Sequence, residues 1–463
     1  MKPKREAADL GGPTGELPLE PSGVIWDEGE AETYVCGNPP YLGSKWQDEN
    51  QKGDLRVAFS SAPVQWKYLD YVCGWIVKAA KYGLLGNSAF AFVATNSICQ
   101  GQQVPILWPL IQELGYRLQF AHTSFYWRNL AERNAGVTVV IVGLTRKPTS
   151  IRRLYITQSD LKIDSQSVDN INPYLVAGKD AVVQPRRKPL GQLCQMMFGN
   201  MPRDGGHLCL SYDEAHEIIE HHPEARIFVR PYIGSAELIQ GKPRFCLWIT
   251  ERNIEEALSI HPIRERLEYV TESRSRSSAP STQAFADQPH RFVQIQGTAE
   301  NHTIAVAKVS SFNRHYIPAD LLSAQSIVSD QVFALYDSSI WQFALISSRM
   351  HYIWISAVCG KMKTDLRYSN TIGWNNFPLN NPTQQQISDL ELSAKRILEA
   401  RERYFPLTIA DLYDPSRWSE FLELTEAHEL NDNIIERMAI GRLCHNDTER
   451  LEVLFRKYGD GSK

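Results

Sequence analysis

Residues 32–43 read Glu32-Thr33-Tyr34-Val35-Cys36-Gly37-Asn38-Pro39-Pro40-Tyr41-Leu42-Gly43, and this stretch decides the fold. Tyr34, Val35 and Cys36 form a short apolar run, so Asn38 to Tyr41 is predicted to be a loop at a strand end. The residue types suit one task. An amine whose lone pair is delocalised into a ring is a poor nucleophile, and donating its two hydrogens to fixed acceptors restores electron density. Asn38 offers a side-chain carbonyl and Pro39 a backbone carbonyl. Proline brings no N–H and a fixed φ, so both acceptors are held toward one point. Tyr41 adds a face on which an extruded base stacks. In many chains a Pro-Pro turn is no more than a turn, and the surroundings must decide.

Leu69, Val72, Cys73, Ile76, Val77 and Ala80 recur at helical spacing and stop at Gly83, which predicts an amphipathic helix over 67–82 with a glycine C-cap. Ala89 to Ala94 is a strand candidate closed by Thr95-Asn96-Ser97. A helix around Val104 to Leu114 follows, then strands from Leu118 to His122 and from Val137 to Val142. The order is strand, loop, helix, strand, helix, strand, strand. That is half of an α/β sheet with ligand loops at the carboxyl ends of its strands.

Further strings carry more information, the two later ones being far more specific than Asn-Pro-Pro-Tyr. They are Thr95-Asn96-Ser97-Ile98, Phe120-Ala121-His122, Met197-Phe198-Gly199-Asn200-Met201-Pro202-Arg203-Asp204-Gly205-Gly206 and Arg367-Tyr368-Ser369-Asn370-Thr371-Ile372-Gly373-Trp374-Asn375-Asn376-Phe377-Pro378. With residues 32–43, they make the chain, from about residue 32 to its end, resemble the DNA adenine methyltransferase part of the MmeI-like restriction-modification enzymes. The resemblance implies an α/β fold with a partial Rossmann-like methyltransferase sheet, then an α+β target-recognition domain and a small helical C-terminal domain. It implies N6-methylation of adenine in a short asymmetric site of double-stranded DNA, with S-adenosylmethionine as donor. Asn38, Pro39, Pro40 and Tyr41 then correspond to the catalytic, amine-orienting loop. Tyr41, Phe125 and Trp127 correspond to the aromatics that hold the extruded base, although aromatics behind a strand more often pack a core. Asp70 and Trp75 fall on the helix expected near the cofactor, Asp70 being the cofactor-binding candidate; packing explains both equally well. The expected domains are a leader over 1–31, the catalytic half over 32–148, a linker over 149–185, the recognition domain over 186–378 and the helical domain over 379–463.

The chain departs from the family at its start. A methyltransferase of this class binds its cofactor on a glycine-rich turn after the first strand, with an acidic residue for the ribose after the second, and both precede the catalytic loop. Only 37 residues precede Asn38, and none of their runs makes a βαβ unit. Gly11-Gly12 follows no apolar strand, so the SAM-binding glycine motif is absent. The expected consequence is an uncovered sheet edge at Tyr34 to Cys36, to which an upstream polypeptide supplying the SAM-binding half would pair. A split enzyme, a degraded gene and a misplaced start codon fit this equally.

Composition adds boundaries. A chain of 463 residues with 43% hydrophobic content holds two or three packed domains. No run approaches the roughly 20 apolar residues of a membrane span, and no signal peptide opens the chain. The eight cysteines show no Cys-x-x-Cys pair and no zinc-type spacing of cysteine with histidine, so no metal site is expected and the thiols suit a cytoplasmic protein. The net charge of −4 gives no support to nucleic-acid binding, yet residues 185–370 hold 15 Arg to 5 Lys. Arginine suits guanine edges and phosphates.

The middle region is expected to be strand-rich, at Phe228–Gly234, Arg244–Ile249 and Arg291–Ile295. Glu272 to Gln283 reads as a polar loop from which Arg274 and Arg276 can reach a phosphate, or which is simply solvated. Thr383 with Gln386 forms a capping box before Ile387, Leu390, Ala394 and Ile397, and Leu451, Leu454, Phe455 and Tyr458 line a last helix. Two rival functions remain. One is a truncated or split subunit that recognises DNA without methylating it alone; the other is a protein or RNA methyltransferase sharing the Asn-Pro-Pro-Tyr loop.

Overall fold

The computed structural model describes residues 33–60, 62–86, 88–127, 137–157, 162–311, 313–362 and 365–461. The leader expected over 1–31 lies outside them. The chain divides into two compact units, residues 1–184 with 459–463, and residues 185–458.

In the first unit, β1 (Thr33–Gly37), α1 (Glu49–Ala58), α2 (Val72–Tyr82), β2 (Ser88–Thr95), α3 (Gln103–Glu113), β3 (Arg117–Trp127), β4 (Val137–Thr145), β5 (Arg152–Thr157) and β6 (Ile163–Val168) follow in order. The strands form one sheet in the order β1-β2-β4-β3-β5-β6. β1 runs parallel to β2, with Thr33 beside Ser88 and Gly37 beside Phe92. β4 is antiparallel to both β2 and β3, so β1, β2 and β3 share one direction and their carboxyl ends share one edge of the sheet. That shared edge is where α/β sheets of this kind bind ligands.

Two expectations change. The stretch expected as a linker over 149–185 carries β5 and β6, which extend the sheet through β3. Its polar, alternating residues mask a strand whose exposed face needs no apolar side chains. The helix expected from residue 67 begins only at Val72, because the Asp70 carboxylate accepts the Val72 N–H and Trp66–Tyr68 is a separate 3-10 turn. Gly83 does end that helix, but with φ −71, so no left-handed cap demands it. Glycine is needed there because a Cβ would collide with the Tyr116 hydroxyl and Ser88 Oγ.

β1 is the outer strand; among the described residues it pairs only with β2. Val35 is buried, whereas Tyr34 is 66% exposed and Cys36 and Gly37 are exposed.

The second unit holds short sheets and helices. Strands Val229–Ile233 and Phe245–Leu247 pair antiparallel, as expected for that region. A second four-stranded sheet takes Met197–Phe198, His302–Ala307, Ala319–Ser323 and Val332–Tyr336. Arg291–Ile295, expected as a strand, forms none: Phe292 is buried, edge-on to Tyr232 and Trp248, and Gln294 makes a single bridge to Met201. The polar loop expected over 272–283 is largely helical, since His261–Ser275 is one helix and Pro280–Gln283 another. Helices Gln384–Glu402, Leu422–Ile440 and Asp447–Gly461 dominate the C-terminal part, the first starting at the expected Thr383–Gln386 capping box.

Candidate functional site

Asn38 follows the last residue of β1 and is exposed, and among the described residues its side chain has no hydrogen-bond partner. Pro39 is buried, Pro40 exposed and Tyr41 half-buried. The loop is thus wedged by one proline while its first amide faces outward.

Behind the loop stands Asp70, only 4% exposed. Its carboxylate accepts the Leu42 N–H at 3.0 Å, the Val72 N–H at 3.2 Å and the Thr95 hydroxyl at 3.2 Å. Because the Thr95 hydroxyl donates to Asp70, the 2.7 Å contact between Thr95 and Ser97 is donated by Ser97. Burial raises the Asp70 pKa, and these donors pull it partly back. Cys73 is fully buried, and desolvation together with the Asp70 charge holds its thiol well above the usual range. Trp75 sits half-buried on α2. The Asp70 carboxylate, expected as a cofactor ligand, is buried and already accepts three donors of its own chain.

Phe125 and Trp127 lie at the end of β3, on the sheet edge where β1 and β2 end. Three strand spacings, about 14 Å, separate β1 from β3. The half-buried Phe125 ring meets the His122 ring edge-on at 4.5 Å. His122 Nδ1 donates to the Thr123 carbonyl, leaving Nε2 to accept from Thr157 across β5, so the ring that supports Phe125 is itself fixed. That supporting role was not read from the sequence, though His122 sits in one of the quoted strings. The Trp127 side chain, Arg128 and Asn129 lie outside what is described.

In the second unit, Arg274 corrects its expectation. It is 0% exposed and occupies the position after Ile263, Leu267 and Val270 on the buried stripe of its helix. All five of its N–H donors are used on carbonyls: Nε on Arg203, Nη1 on Phe285 and Gln288, Nη2 on Pro202 and Arg291. No donor remains for a phosphate. Arg276 is exposed, paired at 2.5 Å with Glu272 one turn earlier.

Other cations stand differently. Strands Lys361–Met362 and Asp365–Arg367 form a hairpin, and Val309–Ser310 adds a third strand with Val309 opposite Arg367. Lys361 has no ion-pair or hydrogen-bond partner among the described residues, and burial lowers its pKa. Lys308, just before this third strand, lies over the rings of Phe198 and Phe333 and donates to the Asp330 carbonyl. Arg314 keeps a buried Nε without a partner among the described residues. The sequence reading missed this group; the alternation of Lys361 and Lys363 with Arg367 was its available signal.

Comparison with known proteins now bears on these sites. Sequence models of the MmeI DNA-methyltransferase domain, target recognition domain and C-terminal domain match residues 14–156, 177–381 and 381–462. The chain belongs to the MmeI family. Its fold is similar to that of the Type IIL restriction-modification enzyme MmeI, solved in complex with DNA, with TM-score 0.81 and 32% identity over 93% of this chain and 57% of that one. DNA methyltransferase A of Bacillus subtilis (strain 168) is 38% identical over 456 residues, 96% of this chain. The chain spans about half the length of that relative, 51%.

Within this MmeI-like chain, the two longest quoted strings prove structural. Asn200 is fully buried; its amide donates to the Gly297 and Val328 carbonyls and accepts the Gln296 and Gly297 N–H groups. At Gly199 any Cβ would collide with the Ser329 carbonyl. Asn370, Trp374 and Asn375 donate to the carbonyls of Met196, Cys194 and Arg186, closing residues 186–196 onto the end of the domain.

Proposed function

We propose that the chain belongs to a site-specific DNA methyltransferase of a restriction-modification system, forming N6-methyladenine in a short asymmetric duplex site. The observation that carries this is the loop at the end of β1, with the Asn38 amide exposed at the sheet edge that β2 and β3 also reach. An adenine swung out of the duplex donates its two amine hydrogens to Asn38 Oδ1 and the Pro39 carbonyl, which raises electron density on nitrogen and offsets the positive charge that develops as it attacks. Tyr41 from one side and Phe125 with Trp127 from the other hold the ring. The exposed Arg367 and Arg276, with the half-buried Lys361 of the same hairpin as Arg367, contact the DNA backbone and base edges.

S-adenosylmethionine would supply the electrophilic methyl group. The described residues do not fit that cofactor: the loops at the sheet edge hold single glycines, Gly43 and Gly101, and no glycine-rich turn, and the carboxylate nearest the loop, Asp70, is engaged internally. This chain's residues therefore carry the amine's side of the reaction. The cofactor-binding half is supplied by further polypeptide that pairs with the outer edge of β1, in the reducing cytoplasm that suits eight free thiols.

Two measurements test the reading. With labelled S-adenosylmethionine, the chain and its cofactor-binding partner should label duplex DNA; label in RNA or protein instead would overturn it. Calorimetry on the chain alone should show weak or no cofactor binding, and micromolar binding would contradict the assignment of that half to other polypeptide.

A further inference from the structure

The backbone of Leu42, the first residue beyond the Asn38–Tyr41 loop, is held from both sides. Its N–H donates to Asp70 at 3.0 Å, and its carbonyl accepts the Tyr71 N–H at 3.0 Å and Gln47 Nε2 at 2.9 Å. The same Gln47 nitrogen donates to the Leu69 carbonyl at 3.0 Å, so one amide ties residue 42 to residue 69. Asp70 also accepts the hydroxyl of Thr95, the last residue of β2, while its own N–H donates to Gln103 at the start of α3. Gln47 is 6% exposed and Asp70 4%.

Burying a carboxylate is unfavourable, and a serine or asparagine would accept the Val72 N–H at the start of α2 as well. Capping alone does not account for an aspartate here. Its side chain does more than cap: it reaches the catalytic loop, the start of α2 and the end of β2 together. Between Asn38 and Leu42 stand only three residues, two of them prolines with fixed φ. A restraint on Leu42 therefore passes back through a short, stiff segment to the Asn38 and Pro39 carbonyls.

We propose that Asp70, with Gln47, is the positioning residue of the amine-orienting loop: their joint hold on Leu42 sets where the two acceptor carbonyls point. This rests on the reading of that loop as the site of methyl transfer. It assigns Asp70 to the nucleophile's geometry, not to the ribose of a cofactor.

The test compares Asp70→Ala, Asp70→Asn and Gln47→Ala in the full chain with its cofactor-binding partner. Misplacing a reacting group by an ångström costs on the order of a hundredfold in rate. Asp70→Ala should lower kcat by about ten- to a hundredfold, with DNA affinity and KM for DNA nearly unchanged. Asp70→Asn keeps an oxygen for the Leu42 and Val72 N–H groups and turns its NH2 toward Thr95, so it should recover most of the rate. Gln47→Ala removes one tether and should fall between them, which keeps the proposal testable where Asp70→Ala folds poorly. Amide exchange at Leu42 should quicken in Asp70→Ala and Gln47→Ala and stay slow in Asp70→Asn. A purely structural Asp70 would lower the melting temperature of Asp70→Ala while leaving kcat per folded molecule intact, and that result would overturn the proposal. If the wild-type assembly transfers no methyl group, the functional reading fails, but Leu42 exchange still decides the positioning: unchanged exchange in both Ala variants would sink it.

Discussion

Asn38 and Asn200 are the same residue type, each inside a motif that marks the family, and they stand in opposite conditions. Asn200 is buried, with donors and acceptor all met by backbone groups of its own unit. Asn38 is exposed and has no partner among the described residues. The same contrast separates Arg274, whose five donors are consumed by five carbonyls, from Lys361, none of whose donors is matched among the described residues. A polar side chain whose hydrogen bonds close within the chain holds the fold. One left open at a sheet edge or hairpin is available for a substrate.

The largest effect that could break this contrast is at Arg274. Arg274→Ala strands five carbonyls in a buried site and should destabilise the second unit by about 3–5 kcal/mol, read as a fall in the denaturation midpoint. A shift under about 1 kcal/mol would mean that the closed network matters little.

Asp432 sharpens the comparison, because its closed network includes a titrating group. Burial lifts its pKa from 3.8 to about 7, although it accepts the Arg349 N–H and the Tyr316 hydroxyl and lies near Arg450 and Glu436. A carboxyl raised by folding contributes its stability fully below its unfolded pKa, and that contribution is lost as pH rises through about 7. Asp432→Asn keeps both hydrogen bonds without the charge. Its unfolding free energy should exceed that of the wild type above neutral pH, by an amount on the order of a few kcal/mol, and the difference should vanish toward pH 4. A constant offset at every pH would contradict the assignment.

Open cations should act on DNA and not on stability. Lys361→Ala and Arg367→Ala should each reduce the slope of log affinity against log salt by about 0.9 if they neutralise a phosphate. Slopes identical to wild type in a fluorescent-duplex titration would remove the hairpin from the interface. The smallest effect is expected of Arg276→Ala: its exposed pair with Glu272 should leave stability within about 0.5 kcal/mol of wild type.

Much of the architecture is legible in the sequence because it rests on periodicity. The strand before Asn38, the helix ending at Gly83, the strands around Ala89–Ala94 and Val137–Val142 and the Thr383 capping box all carry local signals. What stays hidden depends on partners far along the chain. Arg274 looks like a loop arginine because its neighbours are serines, and only the carbonyls of residues 202–203 and 285–291 show that it sits inside. Asp70 looks like a helix residue, yet its partners are Leu42 and Thr95, 28 and 25 positions away. β6 escapes notice because an exposed outer strand needs little apolar content, and β5 because it is short and half-exposed.

The central claim is that the exposed Asn38 amide activates an adenine amine for methyl transfer. The direct measurement supplies labelled methyl donor and duplex DNA to wild-type and Asn38→Ala chains, each with the cofactor-binding partner, and identifies the labelled nucleoside after digestion. The expected result is N6-methyl-2′-deoxyadenosine from the wild type and a rate at least about a hundredfold lower from Asn38→Ala, with DNA affinity and melting temperature unchanged. Full methylation by Asn38→Ala, or label on any other base, would contradict it.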